Sequence, residues 1–313
     1  MKSRYLIDII KTSALSLVIL AACSKKDGVP DSRERIDQVV AEETMTMGEA
    51  QLYHYDSHVS EKWNWDGNQP YRIDYFDNKP CSENFFYDGR KIVRTTIPAY
   101  RIHNEFIYDG QKLERIDCFR DDTLVSCMRF YHTGKKITRI KWSLYSDTPG
   151  ETSRFSPLRW LAGSPMAMTM ERHNADILKR SNAKSIDTAT ATYTLSWNGD
   201  NVSRIVCKEG NSEEAVWQAD MTYDDKRNPY RNLFGYNEFN DELFSFDMMS
   251  ANNILTISMP SDHSDSQLYR YSYKYDGKYP SERTLTYSYI GFDQSTWSET
   301  TFSFTRTESF IYQ

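Results

Sequence analysis

The sequence has little clustered positive charge and no long hydrophobic run. Its formal net charge is -6 at pH 7, and its basic residues form no run longer than two or three. Neutralising the phosphates of a nucleic acid needs Lys and Arg gathered on one face, so we predict no nucleic-acid partner. The longest apolar stretch is shorter than the roughly 20 residues that a membrane-spanning helix needs.

Catalytic motifs are also missing. The chain contains no G-x-S-x-G, no H-E-x-x-H and no Gly-rich phosphate loop. The carboxylates of Glu42-Glu43 and of Glu213-Glu214 are adjacent in sequence, which favours solvated turns over a glycosidase dyad. Two carboxylates that are distant in sequence could still form such a dyad. We predict that the protein is not an enzyme and uses no cofactor.

The histidines and the recurring aspartates give no metal-binding pattern. His54 and His58 lie four residues apart without a third ligand of suitable spacing, so a zinc site is disfavoured. The recurring aspartates could suggest calcium, but each lies where a tight hairpin turn favours Asp. They are Asp88, Asp109, Asp224 and Asp276. We therefore predict no metal site.

The N-terminus has the pattern of a signal peptide. Basic residues precede an apolar stretch, Ser13 to Ala22, which ends in Leu-Ala-Ala before Cys23. This pattern resembles a bacterial lipoprotein signal with its lipobox. The resemblance implies cleavage after residue 22 and acyl chains such as palmitate on Cys23. Because Ser24 rather than Asp follows Cys23, the resemblance also implies the outer membrane. It does not decide between the periplasmic face and the cell surface. The alternative is a plain secretory signal or an uncleaved anchor.

Four cysteines remain after Cys23 and would lie in an oxidising compartment, where disulfides persist. A hairpin looped at Asp122-Thr123 would place Cys118 directly opposite Cys127, which makes this pair a candidate disulfide. A loop one residue earlier would separate the two thiols. The alternative is four free, buried cysteines.

A repeated hairpin organises the rest of the chain. In Phe85 to Arg94, Asp88-Gly89 is flanked by alternating apolar residues. Asp-Gly is typical of a two-residue type I′ turn, which needs positive φ at both central positions. The predicted cross-strand pairs are Tyr87 with Arg90, Phe85 with Ile92, Phe106 with Leu113 and Leu195 with Val202.

Copies of this hairpin recur about every 22 residues. An aromatic residue before each turn marks them: Trp65, Tyr87, Tyr108, Tyr131, Trp197, Tyr223 and Tyr275. A repeat that cannot bury its own face must stack on its neighbours. From about residue 52 onward we therefore predict roughly 12 to 14 strands of about 5 to 10 residues in one antiparallel meander. Closure into a barrel, or strong curvature, would remove the exposed edges.

The predicted organisation has three parts. Residues 1–22 form the signal peptide, and residues 23–50 form a lipidated tether with a short polar helix around Ser32 to Glu43. Residues 51–313 form a single β domain. Within it, apolar residues at helical spacing predict a helical insertion at about 150–190.

Several motifs in order carry a resemblance to a known family. They are the Tyr-Asp-Gly-x-Lys-Leu/Ile-x-Arg-Ile repeats, Tyr223 to Tyr230, Ser250 to Asn253, and Tyr275 to Pro280. Together they resemble a Gram-negative lipoprotein family of unknown function with a porin-like β-barrel fold. The hairpins are also similar to the YD repeats of large secreted shell-forming proteins. The resemblance implies a curved antiparallel sheet that is closed or nearly closed, and it brings no activity and no catalytic residues.

Four arginines are the candidate ligand-binding residues. Arg94, Arg115, Arg139 and Arg204 each follow the apolar residue after a turn by two positions, which predicts a row on one sheet face. Arg binds carboxylate and phosphate bidentately and stacks on aromatic rings, so the row suits an anionic glycan or a lipid headgroup. The alternative is a structural ladder in which each Arg pairs with an acid such as Glu83 or covers an aromatic ring.

These observations favour a non-catalytic, lipid-anchored envelope lipoprotein that binds or scaffolds at the outer membrane. A membrane-spanning porin is disfavoured because the strands carry charge, as in Arg115-Ile116-Asp117, where spanning strands need an uninterrupted apolar outer band. The first alternative is a carrier that holds a lipid or an oligosaccharide inside the barrel. A glycan-acting hydrolase is third. A polar interior cavity of roughly 300 Å³ or more would favour the carrier.

Overall fold

The computed structural model describes residues 35–48, 50–76, 80–145, 188–215, 217–231, 249–259, 267–293 and 298–313. The predicted signal peptide, the predicted lipid attachment at Cys23 and nearly all of the predicted helical insertion lie outside these residues. Those three features therefore stay predictions.

The described residues form sixteen β-strands. The strands are β1 (Ile36–Met47), β2 (Ala50–Asp66), β3 (Gln69–Tyr75), β4 (Cys81–Asp88), β5 (Lys91–Ile97), β6 (Ile102–Asp109), β7 (Lys112–Arg120), β8 (Thr123–Thr133), β9 (Lys136–Tyr145), β10 (Thr188–Asn198), β11 (Asn201–Glu209), β12 (Trp217–Arg227), β13 (Asn252–Met259), β14 (Gln267–Asp276), β15 (Tyr279–Asp293) and β16 (Ser298–Tyr312). A 3-10 turn, Pro98–Tyr100, lies between β5 and β6.

Each strand pairs antiparallel with the next strand along the chain, and β16 pairs with β1 to close the barrel. Val39 lies opposite Phe310 across this closing pair. The predicted antiparallel meander and its closure are confirmed. Closure leaves no strand at a permanent edge around the main body of the barrel, which is how barrels avoid pairing with other chains.

The short polar helix that the sequence predicts around Ser32 to Glu43 is wrong from Ile36 onward, where the chain forms β1. Ile36, Val39 and Ala41 are buried there. Local composition favoured a helix, but β1 supplies the pairing partner of both β2 and β16. Tertiary pairing therefore overrides local preference, and the strand count exceeds the predicted number.

The turns predicted at Asp88-Gly89, Asp109-Gly110 and Asn198-Gly199 lie one residue later than predicted. Asp88 pairs with Lys91 and Tyr87 with Ile92, which leaves Gly89 and Arg90 as the two loop residues. Only Gly89 of these has a positive φ, 60°. A positive φ at the first loop residue alone fits a type II′ turn rather than type I′. The predicted pairs of Tyr87 with Arg90 and of Phe85 with Ile92 are therefore wrong.

The same shift applies to the other predicted pairs. Phe106 lies opposite Ile116 rather than Leu113, and Leu195 lies opposite Ile205 rather than Val202. The partner is three residues further along in each case. Moving the turn by one residue explains two of these three positions, and an extra residue after the turn explains the third.

That extra residue is a β-bulge that recurs from hairpin to hairpin. Phe86 pairs with Arg94, so Val93 is left over between two paired positions. The same two-versus-one count occurs at Tyr71, Glu114, Val125, Thr138, Ser203 and Ser281. A bulge bends the strand and increases its twist. Repeated around the sheet, it provides the curvature that closure needs.

The interior of the barrel is mostly apolar, although it also contains buried charged residues such as Glu83, Arg306 and Glu308. Its fully buried large side chains include Ile116, Ile140, Tyr193, Ile205, Ile257 and Tyr269, which belong to one continuous core cluster. The chain after β12 also enters this interior. The ring of Tyr230 lies 6.0 Å from Trp63 of β2 and 6.0 Å from Phe310 of β16. The segment therefore reaches from β12 to strands β2 and β16, which flank β1.

Candidate functional site

The four predicted arginines lie on the outer face of the barrel at equivalent places. Each is the last residue of its strand to pair with the following hairpin. The four pairs are Arg94 with Glu105, Arg115 with Arg129, Arg139 with Thr194 and Arg204 with Asp220. The structure therefore brings these residues onto one face, as predicted, with one arginine on every second strand.

Arg72 of β3 is a fifth member of this row that the sequence prediction left out. It pairs with Asn84 of the following hairpin, the same position as the other four. The signal was present, because Arg72 follows Pro70 by two residues, the same spacing as Arg94 after Ile92. Pro70 is not one of the aliphatic residues by which the row was recognised.

Most of these guanidiniums already have partners on the outer face. Arg204 forms two hydrogen bonds to Asp220, at 2.6 and 3.0 Å, and this carboxylate raises the pKa of Arg204. Arg115 Nε lies 3.0 Å from Asp117 Oδ2. The guanidinium of Arg139 lies 4.0 Å above the ring of Tyr131. These contacts match the ladder interpretation.

The acid that the sequence proposed for the ladder is elsewhere. Glu83 is fully buried inside the barrel. Arg72 instead pairs with Asp74, at 2.7 Å, two residues further along its own strand. Burial acts to raise the pKa of Asp74, but hydrogen bonds from Ser82 and Arg72 outweigh it, and the net pKa is lowered.

The candidate disulfide between Cys118 and Cys127 does not form, because the loop lies one residue earlier than Asp122-Thr123, which is the alternative that the sequence left open. Asp121 and Asp122 both have positive φ, 49° and 59°, and form the turn. Cys118 consequently lies opposite Ser126, and Cys127 lies opposite Asp117. Both thiols are free and buried. Burial raises the pKa of Cys118 to about 12 and that of Cys127 to about 11, so neither is a reactive thiolate.

His54 and His58 do not converge on a common site. His54 Nε2 lies 3.3 Å from Asp56 Oδ1, while His58 Nδ1 contacts the carbonyl of Asp56. Within the described ranges, no group of three or more His, Cys, Asp or Glu residues could hold a metal ion.

A ring of hydrogen bonds at one end of the barrel was not foreseen from the sequence. We call this end, where the turns at Gly67, Gly89, Gly110, Gly134, Gly199 and Gly277 lie, the hairpin rim. Here each hairpin donates a side-chain N–H or O–H to a backbone carbonyl of the preceding hairpin. The donors and acceptors are Trp65 to Ile36, Tyr87 to Pro70, Tyr108 to Ile92, His132 to Leu113, Trp197 to Ile137, Tyr223 to Val202, Tyr273 to Ile254 and Tyr312 to Pro280, at 2.6 to 2.9 Å.

The strand pairing explains why this ring forms. Between β5 and β6, pairing runs from Ile97 only as far as Arg94, so the two strands separate toward the rim. The carbonyl of Ile92 then lacks a backbone donor on that side, and a buried carbonyl needs one. The ring of Tyr108 fills the gap and its hydroxyl provides the donor. In two hairpins the donor is not the aromatic residue that located the turn in the sequence. His132 donates instead of Tyr131, and Tyr273 donates instead of Tyr275.

A charged network lies inside the barrel where the strands close. Glu308 of β16 accepts a hydrogen bond from Arg283 of β15 at 2.6 Å and another from Arg306 at 2.8 Å. Arg306 also pairs with Glu43 of β1. Burial acts to raise the pKa of Glu308, but the two arginines hold it below its ordinary value. The network therefore ties β15, β16 and β1 together.

Glu61 of β2 lies beside this network. Its Oε2 accepts a hydrogen bond of 2.8 Å from the indole N–H of Trp63. Burial raises the pKa of Glu61 to about 7, and the nearby charge of Glu308 adds to the increase. Near neutral pH, Glu61 therefore exchanges a proton inside the barrel.

The cavity that adjoins the network is small. Tyr230, Tyr271, Tyr273, Asn253 and Arg283 are among its lining residues, and its volume is about 10 Å³. That is room for about one water molecule. The Tyr230 hydroxyl is buried and has no hydrogen-bond partner among the described residues, so a water at this place would satisfy it.

Comparison with known proteins found no matching family model and no matching curated protein. Among the described residues, no helix is long and apolar enough to cross a membrane.

Proposed function

We propose that this protein is a non-catalytic, lipid-anchored lipoprotein of the outer membrane. Its barrel is surrounded by water and does not span the membrane. Its role is binding or scaffolding at the cell envelope. The lipobox-like pattern before Cys23 supports the anchor. The helical insertion at about 150–190 and the resemblance to the porin-like lipoprotein family belong to the same proposal.

The observation that carries the proposal is the polarity of the wall. A membrane-spanning barrel has an apolar outer band and a polar interior. Here the outer face carries the ion pairs Arg72–Asp74, Arg115–Asp117, Arg204–Asp220 and Lys274–Glu282, on strands spread around the circumference. The interior holds the aliphatic and aromatic core. This distribution is the reverse of a porin's and suits a barrel surrounded by water.

The position of the first strand is consistent with a short tether. Arg35 lies at the hairpin rim, where its carbonyl accepts a hydrogen bond from the N–H of Gln313. Eleven residues lie between Cys23 and Arg35, and the twelve residue-to-residue steps of an extended chain span at most about 40 Å. An anchor at Cys23 would therefore hold the barrel close to the membrane surface.

The ligand surface that we propose is the outer arginine row. Arg94 lies opposite Phe86, whose side chain is 48% exposed, and Arg139 lies over Tyr131, which is 38% exposed. Exposed rings beside guanidiniums suit the sugar faces and acidic groups of an anionic glycan, or a lipid headgroup. The acids paired with Arg115 and Arg204 would have to be displaced or shared, so we expect weak binding.

The carrier has less support. A pocket for a small ligand measures roughly 300 to 1,000 Å³, whereas the cavity beside Tyr230 measures about 10 Å³. The hydrolase, the third candidate, gains no specific support from the described side chains.

Two experiments test the proposal. Replacing Cys23 by Ser should move the protein from the membrane fraction to the soluble fraction, and retention in the membrane would contradict the anchor. Residues 24–313 should bind at least one anionic glycan or lipid in a screen. The double variant Arg115→Ala, Arg139→Ala should weaken that binding by at least tenfold, whereas Lys274→Ala on a distant strand should not. Equal binding by both variants would refute the arginine row as the ligand surface.

A further inference from the structure

Basic residues lie directly opposite one another on the outer face of β7, β8 and β9. Arg115 of β7 lies opposite Arg129 of β8, and Arg129 lies opposite Lys141 of β9. Arg94, another member of the arginine row, instead lies opposite the carboxylate of Glu105. Opposite charges across a strand pair stabilise a sheet, whereas like charges destabilise it. The three basic residues on β7 to β9 therefore need an explanation other than sheet stability.

Arg129 and Lys141 are accessible to a ligand on the outer face. The neighbours of Arg129 in the chain, Met128 and Phe130, are buried, and so is Ile140 before Lys141. Because side chains alternate between the two faces of a strand, Arg129 and Lys141 point outward, and both are exposed. Adjacent strands are about 4.8 Å apart, so the three basic positions lie within about 10 Å of each other. One small anion can therefore contact all three side chains.

Two of these three residues have no acidic partner in the described part of the chain. Arg115 has one, because its Nε lies 3.0 Å from Asp117 Oδ2. Arg129 and Lys141 form neither an ion pair nor a side-chain hydrogen bond with any described residue. Burial raises the pKa of the nearby Cys127 thiol to about 11, while the charges of Arg129 and Arg115 both act to lower it. The two guanidiniums therefore act on the same small area of the wall.

The strands around these residues are also positive. Residues 112–145, which form β7 to β9, contain eight Lys or Arg and four Asp or Glu, so this segment has a net charge of +4 in a chain of -6. Two of these acids form the turn after β7. The other two, Glu114 and Asp117, lie beside Arg115, and Arg139 lies two residues before Lys141 on the same face. We call four basic and two acidic residues, net charge +2, the cationic patch: Arg115, Arg129, Arg139, Lys141, Glu114 and Asp117.

The backbone beneath the cationic patch is anchored in the core. Ile116, Met128 and Ile140 lie next to the basic residues in the chain and are at most 2% exposed. Antiparallel pairing on both sides of β8 also fixes the spacing of the three strands. Groups that are held in place before binding lose less conformational entropy when a ligand arrives. The patch is therefore preorganised for an anion.

We propose that the cationic patch binds a phosphate monoester, carried either by a sugar or by a lipid headgroup. A phosphate monoester has a charge of about -1.5 to -2 at pH 7 and three strong acceptor oxygens. That charge balances the net charge of the patch, and the three oxygens can accept hydrogen bonds from Arg115, Arg129 and Lys141 together. A carboxylate provides one charge and two oxygens, so it would leave part of the positive charge without a partner.

Phosphate binding at the cationic patch rests on the proposed function, because the patch shares Arg115 and Arg139 with the arginine row. It adds Arg129 and Lys141, which are not members of that row. It also narrows the ligand from anionic groups in general to phosphate, and the ligand surface from the whole row to β7, β8 and β9.

Ligand binding to residues 24–313, which contain every described strand, tests the site. In isothermal titration calorimetry, glucose 6-phosphate should bind at least tenfold more tightly than glucuronate at the same ionic strength. Vesicles test the lipid source. Those that contain phosphatidic acid, a monoester, should retain more protein than those that contain phosphatidylglycerol, a diester. Binding to one of the two phosphate monoesters alone supports the proposal and identifies the source of the phosphate.

The double variant Arg129→Gln, Lys141→Gln should weaken phosphate binding by at least tenfold, whichever probe is bound. Because it removes no ion pair, it should keep the far-ultraviolet circular dichroism of the wild type, and its melting temperature without ligand should not fall. Arg270→Gln is the matched control. Arg270 is an exposed arginine of β14 that lies between Thr256 and Thr286 of the neighbouring strands, so its replacement should leave the dissociation constant within twofold of the wild type.

Three results would overturn phosphate binding at the patch. They are no binding of either phosphate monoester at ligand concentrations of about 10 mM, a phosphate monoester that binds no more tightly than its comparison ligand, and unweakened binding by the double variant. The arginine row fails separately. If Arg94→Ala, Arg204→Ala weakens anion binding and Arg129→Gln, Lys141→Gln does not, the row is the ligand surface and the patch is not. If neither phosphate nor carboxylate probes bind, both surfaces are refuted.

Discussion

At the scale of single residues, the interior carboxylates behave in opposite ways. Glu308 accepts hydrogen bonds from two arginines, and these hold its pKa down. Glu61 accepts a hydrogen bond from an indole, and burial holds its pKa up, at about 7. A buried carboxylate thus gains or loses proton affinity according to whether charge partners outweigh desolvation.

Glu61 predicts a stability that falls as pH rises. Its pKa is about 7 in the fold and near its ordinary value of 4.5 in the unfolded chain. Stability from the protonated group is complete below pH 4.5 and is lost as pH rises through 7. One pKa unit corresponds to about 1.4 kcal/mol, so the loss is at most about 3 kcal/mol. Glu61→Gln should remove it, so that urea unfolding at pH 5 and pH 8 gives similar free energies.

Glu308→Gln is the control with the opposite sign. It leaves two buried guanidiniums without their shared carboxylate, which costs about 3 to 5 kcal/mol. At pH 8 this variant should therefore be less stable than the wild type, while Glu61→Gln should be more stable. If Glu61→Gln were destabilising at pH 8, ionised Glu61 would be a favourable member of the network, and the raised pKa would be wrong.

At the scale of the strand and the hairpin, side-chain donors at the hairpin rim form the hydrogen bonds between neighbouring hairpins that backbone N–H groups usually form. Tyr108 illustrates it, because its hydroxyl donates to the carbonyl of Ile92 at 2.9 Å where β5 and β6 have separated. Tyr87 and Trp197 repeat the contact at their own seams. The ring therefore joins each hairpin to its neighbour at the end where their ladder has stopped.

Removing one of these bonds should have a small, measurable cost. Tyr108→Phe keeps the ring and deletes the hydroxyl, so the free energy of unfolding should fall by about 1 kcal/mol, the net value of one hydrogen bond. Tyr131→Phe is the matched control, because Tyr131 faces outward under Arg139, and its effect should stay within about 0.5 kcal/mol. Equal losses of unfolding free energy in both variants would show that the hydrogen bonds at the hairpin rim add no specific stability.

The sequence predicted the hairpins better than their register. The letters Tyr-Asp-Gly-Arg-Lys allow a turn centred on Asp88-Gly89 or on Gly89-Arg90, and the backbone conformation that separates the two is not encoded in the pattern. The bulge at Val93 also has no sequence signal. Ile92, Val93 and Arg94 look like an ordinary strand, although Val93 has no partner on β4. The predicted turns were therefore one residue too early, and the predicted partners of Phe85, Phe106 and Leu195 were three residues too early.

The site was predicted in part for a similar reason. Equal spacing after each turn placed four arginines on one face, and equal spacing is a local property of the repeat. Their acidic partners are not part of the repeat, so Asp117 and Asp220 were not named. The interior network could not be predicted from local sequence at all. Arg306 and Glu43 are 263 residues apart in the chain and come together only because the barrel closes.

At the scale of the whole molecule, closure decides what local sequence cannot. β1 has polar residues that suggested a helix, yet β16 and β2 both need it as a neighbour. The barrel also explains the polarity of the wall, since the inner faces of all sixteen strands share one core.

The contact between Arg35 and Gln313 brings the start of β1 next to the end of β16. Connecting these two ends with a short Gly-rich linker and opening the chain after Gly110, where nothing lies within 4 Å of an added side chain, should give a circular permutant that folds to the same barrel. Exposed loop tips tolerate such cuts, so cooperative unfolding should persist, whereas a cut after Ile116 inside β7 should abolish it. A permutant opened at Gly110 that failed to fold would mean that the order of synthesis, and not only the closed geometry, guides assembly.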